Sequence, residues 1–462
     1  MRMKVAVHLH DPTSEINKEV QDIFFKDEYP VFTQLCWDRI LNQRTHGYLK
    51  ELNEDMITMN VYDVNRNGLV PYEIIEESDT SKIREYDVFV IHPSALARLD
   101  TKEIEYLVNS KSTRVVLDYL FEAEIETYMP LINTIKELIG TPDNWMLLVG
   151  GDIVSNDEDL LHKFKEQTSI ELGFFNYFRI NEACIGKAKL RDEKYSIDTI
   201  QSNFRTPKKY DFLCLNLKPR FHRIALVKWF KERGILDRNL ITARWSYEAE
   251  VKRNEEFSAI KNCHGFFDEL ASGDYSERLR RECSFYNEAP ETLLKFIKEN
   301  REELIISCMQ DRYGDHNDRS FVNDVYRDSF YSLVTETYYD DEFINQLPNM
   351  PEQYNHTLKR AFITEKTYKP LMYGHPFMVV GNIGTHKILH RQGFETFEKE
   401  FDFGYDSLND KNRYNTILSN VMTFDFERFD YHTLGKLVHN FHTFYDNRKL
   451  LEHMDTLWNI IK

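Results

Sequence analysis

Residues 362–381, FITEKTYKPLMYGHPFMVVG, decide how the chain is read. Ile363 closes an apolar run, and Thr364 is a residue type that caps helices by lending its side-chain oxygen to an unpaired backbone N–H. The spacing predicts a helix over 364–373, with Glu365 and Lys366 in its first turn. Gly374 and Pro376 end that helix, and the apolar run over 376–380 is that of a strand buried on both faces. Gly381 and Gly384 shape the turns beyond it and allow close backbone approach.

The same rhythm extends in both directions. Upstream, FYSLVTE (330–336) predicts a strand, as does YDFLCLN (210–216), which is followed by a short loop and a helix over 221–233 closed by Gly234. Downstream, a helix over 385–392 ends at Gly393, and from 431 onward Leu434, Leu437, Val438, Phe441 and Phe444 share one helical face. A helix is also predicted over 290–309. Nearer the start, KVAVHLH (4–10), DVFVIH (87–92), RVVLDY (114–119) and WMLLV (145–149) predict buried strands, with amphipathic helices over 102–108 and 126–138. Residues 185–208 are polar and predict a connector or a peripheral ribbon. Strands alternating with helices imply parallel sheets covered on both faces. The expected fold is α/β, with two Rossmann-like domains (residues 1–205 and 206–462) facing across a cleft and a C-terminal packing helix.

Bulk composition narrows the function. At 462 residues the chain is long for one core and comfortable for two. Acidic residues outnumber basic ones by 76 to 59, a net charge of −17, and no basic stripe is visible, which disfavours extended nucleic-acid binding. Any phosphate-binding charge is therefore local. The six cysteines have no CxxC spacing and read as thiols in a reducing compartment. No apolar run approaches the roughly 18 residues of a membrane span, and MRMKVAVHLHDP is not a signal peptide. A soluble, cytoplasmic protein without a membrane partner is expected.

The first turn of the helix at 364 is the strongest candidate site. A helix start offers unpaired N–H groups and about half a positive charge, Lys366 adds a full one, and the combination suits a diphosphate. Glu365 can accept hydrogen bonds from ribose hydroxyls. Taken alone, the same residues also describe a capped surface helix leading into a core strand. Arg220 and Arg223 lie just past a strand end, where open α/β sheets bind ligands and where arginine can grip a phosphate bidentately; they also read as solvated helix-start charges.

FYSLVTE followed at a distance by FITEK and GHPFMVVG resembles the donor-binding signature of the α-1,3-fucosyltransferase family, a pattern shared with virus- and phage-type glycosyltransferases. In that family a strand ending in Glu precedes a Tyr-Val-Thr-Glu-Lys helix start and a Gly-x-x-Pro-Val strand. The likeness covers roughly residues 330–397 and, more weakly, 210–234. It implies a fold of the two-domain GT-B type and a metal-independent, inverting glycosyl transfer of hexosyl- or fucosyltransferase kind. A nucleotide-sugar donor is the substrate, no cofactor is needed, and the acceptor is a glycan or other hydroxyl. Carried over, Lys366 contacts the donor diphosphate and Glu365 the ribose, with Thr364, Thr335 and Glu336 in the same pocket and an arginine from Arg220 or Arg223. Where the family has Glu-Asn-Ser, this chain has Glu336-Thr337-Tyr338.

The loop Val149-Gly150-Gly151-Asp152 is similar to that family's strand-Gly-Glu-Asn loop, which presents the catalytic base, with Asp152 in place of Glu. A carboxylate there would take the acceptor's proton. Asp118 and Glu122, after another strand, are the alternatives; a plain turn Asp is the competing reading. Three further patterns point to no metal. Asp63 to Gly68 begins like a calcium loop, but Ile74 stands where a bidentate Glu belongs. His8 and His10 with His92 fall short of a barrel's metal set. Asp340-Asp341-Glu342 lies in a polar loop. The competing functions are a two-domain nucleotide- or sugar-binding protein without turnover, and a DNA-modifying glycosyltransferase.

Overall fold

The computed structural model describes residues 3–7, 72–76, 79–91, 99–119, 144–153, 161–162, 165–166, 169–176, 178–179, 182–183, 195–216, 220–243, 280, 283–299, 323–337, 339 and 360–461. The chain divides into two units. The first holds the described residues of 1–188 and 445–462, the second those of 189–341 and 360–444. The division thus falls ahead of position 205, and the chain's last helix returns to the first unit.

The first unit is a six-stranded parallel sheet. Its strands are β1 (Met3–Val7), β2 (Tyr72–Glu76), β3 (Val88–Ile91), β4 (Arg114–Tyr119), β5 (Trp145–Gly150) and β6 (Glu171–Phe175), in the order β2-β1-β3-β4-β5-β6. Apolar residues run unbroken through the central strands because both faces are covered: Phe89, Val116 and Leu147 are fully buried. Helix α1 (Thr101–Asn109) links β3 to β4 and starts at a reciprocal cap between Asp100 and Glu103. The last helix, Asn447–Ile461, packs on β6 at Gly173, where a Cβ would come within 2.7 Å of Ile460. Its His453 stacks on Phe175 with centroids 4.7 Å apart and donates from Nε2 to the carbonyl of Asn176. The helix expected from 431 is thus followed by a second, terminal helix.

The second unit carries a four-stranded parallel sheet. Along the chain run α2 (Ile197–Arg205), β7 (Tyr210–Asn216), α3 (Phe221–Glu232), β8 (Leu240–Ala243), α4 (Pro290–Glu299), α5 (Asn323–Asp328), β9 (Ser329–Thr335), α6 (Glu365–Met372), β10 (Phe377–Val380), α7 (Thr385–Arg391), α8 (Asp410–Met422) and α9 (Tyr431–Tyr445). The strand order is β10-β9-β7-β8, with Ser332 level with Leu213 and Phe377, so all four carboxyl ends share one edge. Burial of Phe212, Tyr331, Leu333 and Met378 to 2% exposure or less holds the layers together, each such side chain contributing about 1.5–3 kcal/mol.

Within the stretch 185–208, helix α2 occupies Ile197–Arg205, while 185–194 lie outside the described residues. Ser196 and Thr199 cap α2 reciprocally, and its Ile200 is buried. Ile197, Ile200 and Phe204 recur at helical spacing, a short amphipathic signal set inside an otherwise polar stretch. Gly374, with φ of +54°, ends α6 in the left-handed region, and a Cβ there would sit 2.5 Å from Ile200 Cδ1. Tyr195 Oη donates to the Tyr373 carbonyl at 2.8 Å and fixes the same corner.

Candidate functional site

In the second sheet the chain leaves β7 through α3 toward β8 on one side, and leaves β9 through α6 toward β10 on the other. β7 and β9 are neighbours, so the strand order reverses between them. The crevice outside the carboxyl ends at such a reversal is where open α/β sheets bind ligands. The two strand ends are Asn216 and Thr335, joined side chain to side chain by Thr335 Oγ1 donating to Asn216 Oδ1 at 2.6 Å.

Glu336 follows β9 directly and is fully buried. Its N–H extends the ladder to the Val380 carbonyl at 2.9 Å. Its own carbonyl accepts from Arg223 Nη2 and His222 Nε2, both at 2.9 Å. Its carboxylate is saturated: Oε1 accepts from the Thr364 N–H (3.0 Å) and Thr367 Oγ1 (2.5 Å), and Oε2 from Thr364 Oγ1 (2.6 Å) and the Thr337 N–H (3.2 Å). A buried carboxylate needs such a set of donors to offset the loss of water. Gly381 leaves room for it, since a Cβ there would lie 3.2 Å from Glu336 Cβ.

Two helix starts meet at this residue. Arg223, in the first turn of α3 and 2% exposed, also donates to the Thr335 carbonyl at 3.0 Å. Burial, reinforced by nearby Arg220, lowers its pKa to about 10. Burial also holds His222 neutral, well below the ordinary imidazole range, with the positive charges of Arg223, Arg220 and Lys366 adding to the effect. On α6, Thr364 caps the helix and accepts from the Lys366 N–H at 3.4 Å. Lys366 Nζ pairs with Glu365 Oε1 at 2.6 Å and reaches Thr364 Oγ1 at 3.2 Å and Thr337 Oγ1 at 3.4 Å. For Glu365, burial alone would raise the pKa, but the charges of Lys366 and Lys369 outweigh it and bring the carboxyl to about 2.

The seven residues expected at a donor site thus meet at one sheet edge, on two different footings. Arg223, Thr335, Glu336 and Thr364 are buried, and their side chains hold protein partners. Arg220, Glu365 and Lys366 are part-exposed. Sequence reasoning missed Asn216, His222, Thr337 and Thr367. Of these, Thr367 carried a signal, because position i+3 from Thr364 on a helix faces the same side.

In the first unit, Asp118 is the penultimate residue of β4 and is 1% exposed. Asp152 is half-buried and follows Gly151, whose φ of 108° turns the chain after β5. Glu122, the helix expected over 126–138, His8, His10, His92, the 63–68 turn and Asp340–Glu342 lie outside the described residues. Ser332 Oγ lies 2.9 Å from His375 Nδ1, which imitates a nucleophile and its base, but both are buried and Nε2 is held by the Ser329 carbonyl at 3.0 Å. Burial brings that imidazole to about 3, so the pair belongs to the packing. Among the described residues, no three His, Cys, Asp or Glu group as a metal site requires, and no helix is long and apolar enough to cross a membrane. No protein-family model, no curated protein and no solved structure matches this chain.

Proposed function

We propose that this protein is a glycosyltransferase that binds a nucleotide-sugar donor in the second unit and moves the sugar to an acceptor hydroxyl. The observation that carries the reading is the gathering of Arg220, Glu365 and Lys366 beside the β7/β9 reversal. There the first turns of α3 and α6 are held on one residue, Glu336. Cations and helix-start N–H groups at that edge suit the diphosphate, which gains negative charge as it departs, and stabilising that charge is often the largest catalytic contribution. Glu365, ionised throughout the physiological range, is an acceptor for ribose hydroxyls. Lys366 must then exchange its Glu365 partner for phosphate, a trade between two charge-assisted contacts.

On this reading Asp152, in the first unit, takes the proton from the acceptor hydroxyl as the anomeric carbon is attacked. Asp118, inside the sheet at 1% exposure, is the poorer candidate. The GT-B arrangement of two facing Rossmann-like domains, inversion, metal independence and a cytoplasmic location belong to the same proposal. Lys366→Ala should abolish transfer while leaving the fold intact by circular dichroism. Undiminished turnover in that variant would rule the assignment out.

A further inference from the structure

We propose that Glu336 is a positioning residue that sets the spacing between the two helix starts of the anion site, without touching the ligand itself. This rests on the reading of the crevice as a diphosphate site. The residue spans it in two directions. Its main-chain carbonyl holds the first turn of α3 through Arg223 and His222, and its carboxylate holds the first turn of α6 through Thr364 and Thr367. Its N–H is tied to β10. All of its polar atoms are therefore engaged, and none is left for a ligand. A diphosphate has two phosphoryl groups a fixed distance apart, so it reads the separation of the two helix starts; a single phosphate does not.

Chemistry makes the carboxylate hard to replace. Each of its oxygens faces one backbone N–H, Thr364 on Oε1 and Thr337 on Oε2. A hydroxyl can turn to accept, but a backbone N–H cannot. The amide of a glutamine therefore sets its NH2 against one N–H whichever way it flips. Glu336→Gln, nearly the same shape, must lose one of the two backbone links.

Electrostatics and positioning predict opposite signs for that variant. Removing a negative charge from beside an anion site tightens anion binding if charge alone matters. Loosening the helix starts weakens it, and more for two linked phosphates than for one. The experiment is calorimetric titration of the full chain with inorganic pyrophosphate and, separately, inorganic phosphate, for wild type, Glu336→Gln and Thr367→Val. Thr367→Val removes one hydroxyl from the same latch and retains the charge, and it serves as the second probe if Glu336→Gln fails to fold. The expected result is a loss of about tenfold in pyrophosphate affinity with Glu336→Gln, a smaller loss with Thr367→Val, and little change for phosphate. Unchanged or tighter pyrophosphate binding by the folded variants overturns the positioning role and leaves the site standing. Wild type that binds neither anion overturns the site reading and this inference together.

Discussion

Replacing Arg220 and Arg223 by Met, one at a time, separates a part-exposed residue at the helix start from a buried one that holds the crevice together. The two lie three apart, one at the N-cap of α3 and one in its first turn. Arg220 is part-exposed; Arg223 is 2% exposed and donates to the carbonyls of Thr335 and Glu336. Hydrogen bonds to a charged group contribute about 1.5–3 kcal/mol each, so the two together reach about 3–6 kcal/mol. Burying the guanidinium has a cost, visible in its pKa falling from 12.5 to about 10. That cost offsets part of the gain, and the expected net loss for Arg223→Met, which leaves two buried carbonyls without this donor, is on the order of 1–3 kcal/mol. Chemical denaturation at pH 7 should show it as a lower midpoint with unchanged slope. Arg220→Met, by contrast, should cost less stability than Arg223→Met and weaken nucleoside diphosphate binding by about 10–100-fold, the worth of one charge-assisted contact. The reasoning fails if Arg223→Met proves as stable as wild type, or if Arg220→Met unfolds without any loss of affinity.

Three more outcomes are expected. Glu365→Gln frees Lys366 from its 2.6 Å partner; calorimetry should find inorganic pyrophosphate bound more tightly and a nucleoside diphosphate more weakly, and a parallel change in both would remove Glu365 from the ribose role. Asp152→Asn should lower kcat by about 10²–10⁴, the range of a general base, with donor affinity unchanged; an unaltered kcat would shift the base to another carboxylate. Burial raises the Asp406 carboxyl from 3.8 to about 7 against the pull of backbone N–H groups at the start of α7. The folded state therefore keeps a proton that the unfolded chain releases, and this contribution, complete below about pH 4, is lost as pH rises through 7. Urea midpoints should fall less steeply between pH 5 and 7 in Asp406→Asn than in wild type, and identical slopes would show that Asp406 does not titrate there.

Much of the second sheet was legible from local pattern. YDFLCLN marks β7 to the residue, and FYSLVTE and PFMVV mark β9 and β10 to within one, because strands buried on both faces need unbroken apolar runs. The start of α6 was legible because a Thr cap is a local device. What pattern could not convey is which polar residues the packing consumes. Arg223, Thr335 and Glu336 look like ligand residues in one dimension, and only the meeting of α3, α6 and β9 shows that they bind one another. Short strands with few distinguishing residues, such as LITA at β8, escaped because their case rests on neighbours distant in sequence.

The central claim is that the crevice at the β7/β9 reversal binds the diphosphate of a nucleotide sugar through Lys366. Thermal unfolding of wild type and Lys366→Ala across a panel of nucleoside diphosphates and nucleotide sugars tests it most directly. A ligand at 100 times its dissociation constant stabilises by about 2.7 kcal/mol, which for a unit of this size is a rise of about 5–10 °C. At least one compound should produce that rise in wild type and lose most of it in Lys366→Ala. A panel that leaves wild type unmoved, or a rise that survives intact in Lys366→Ala, would contradict the claim.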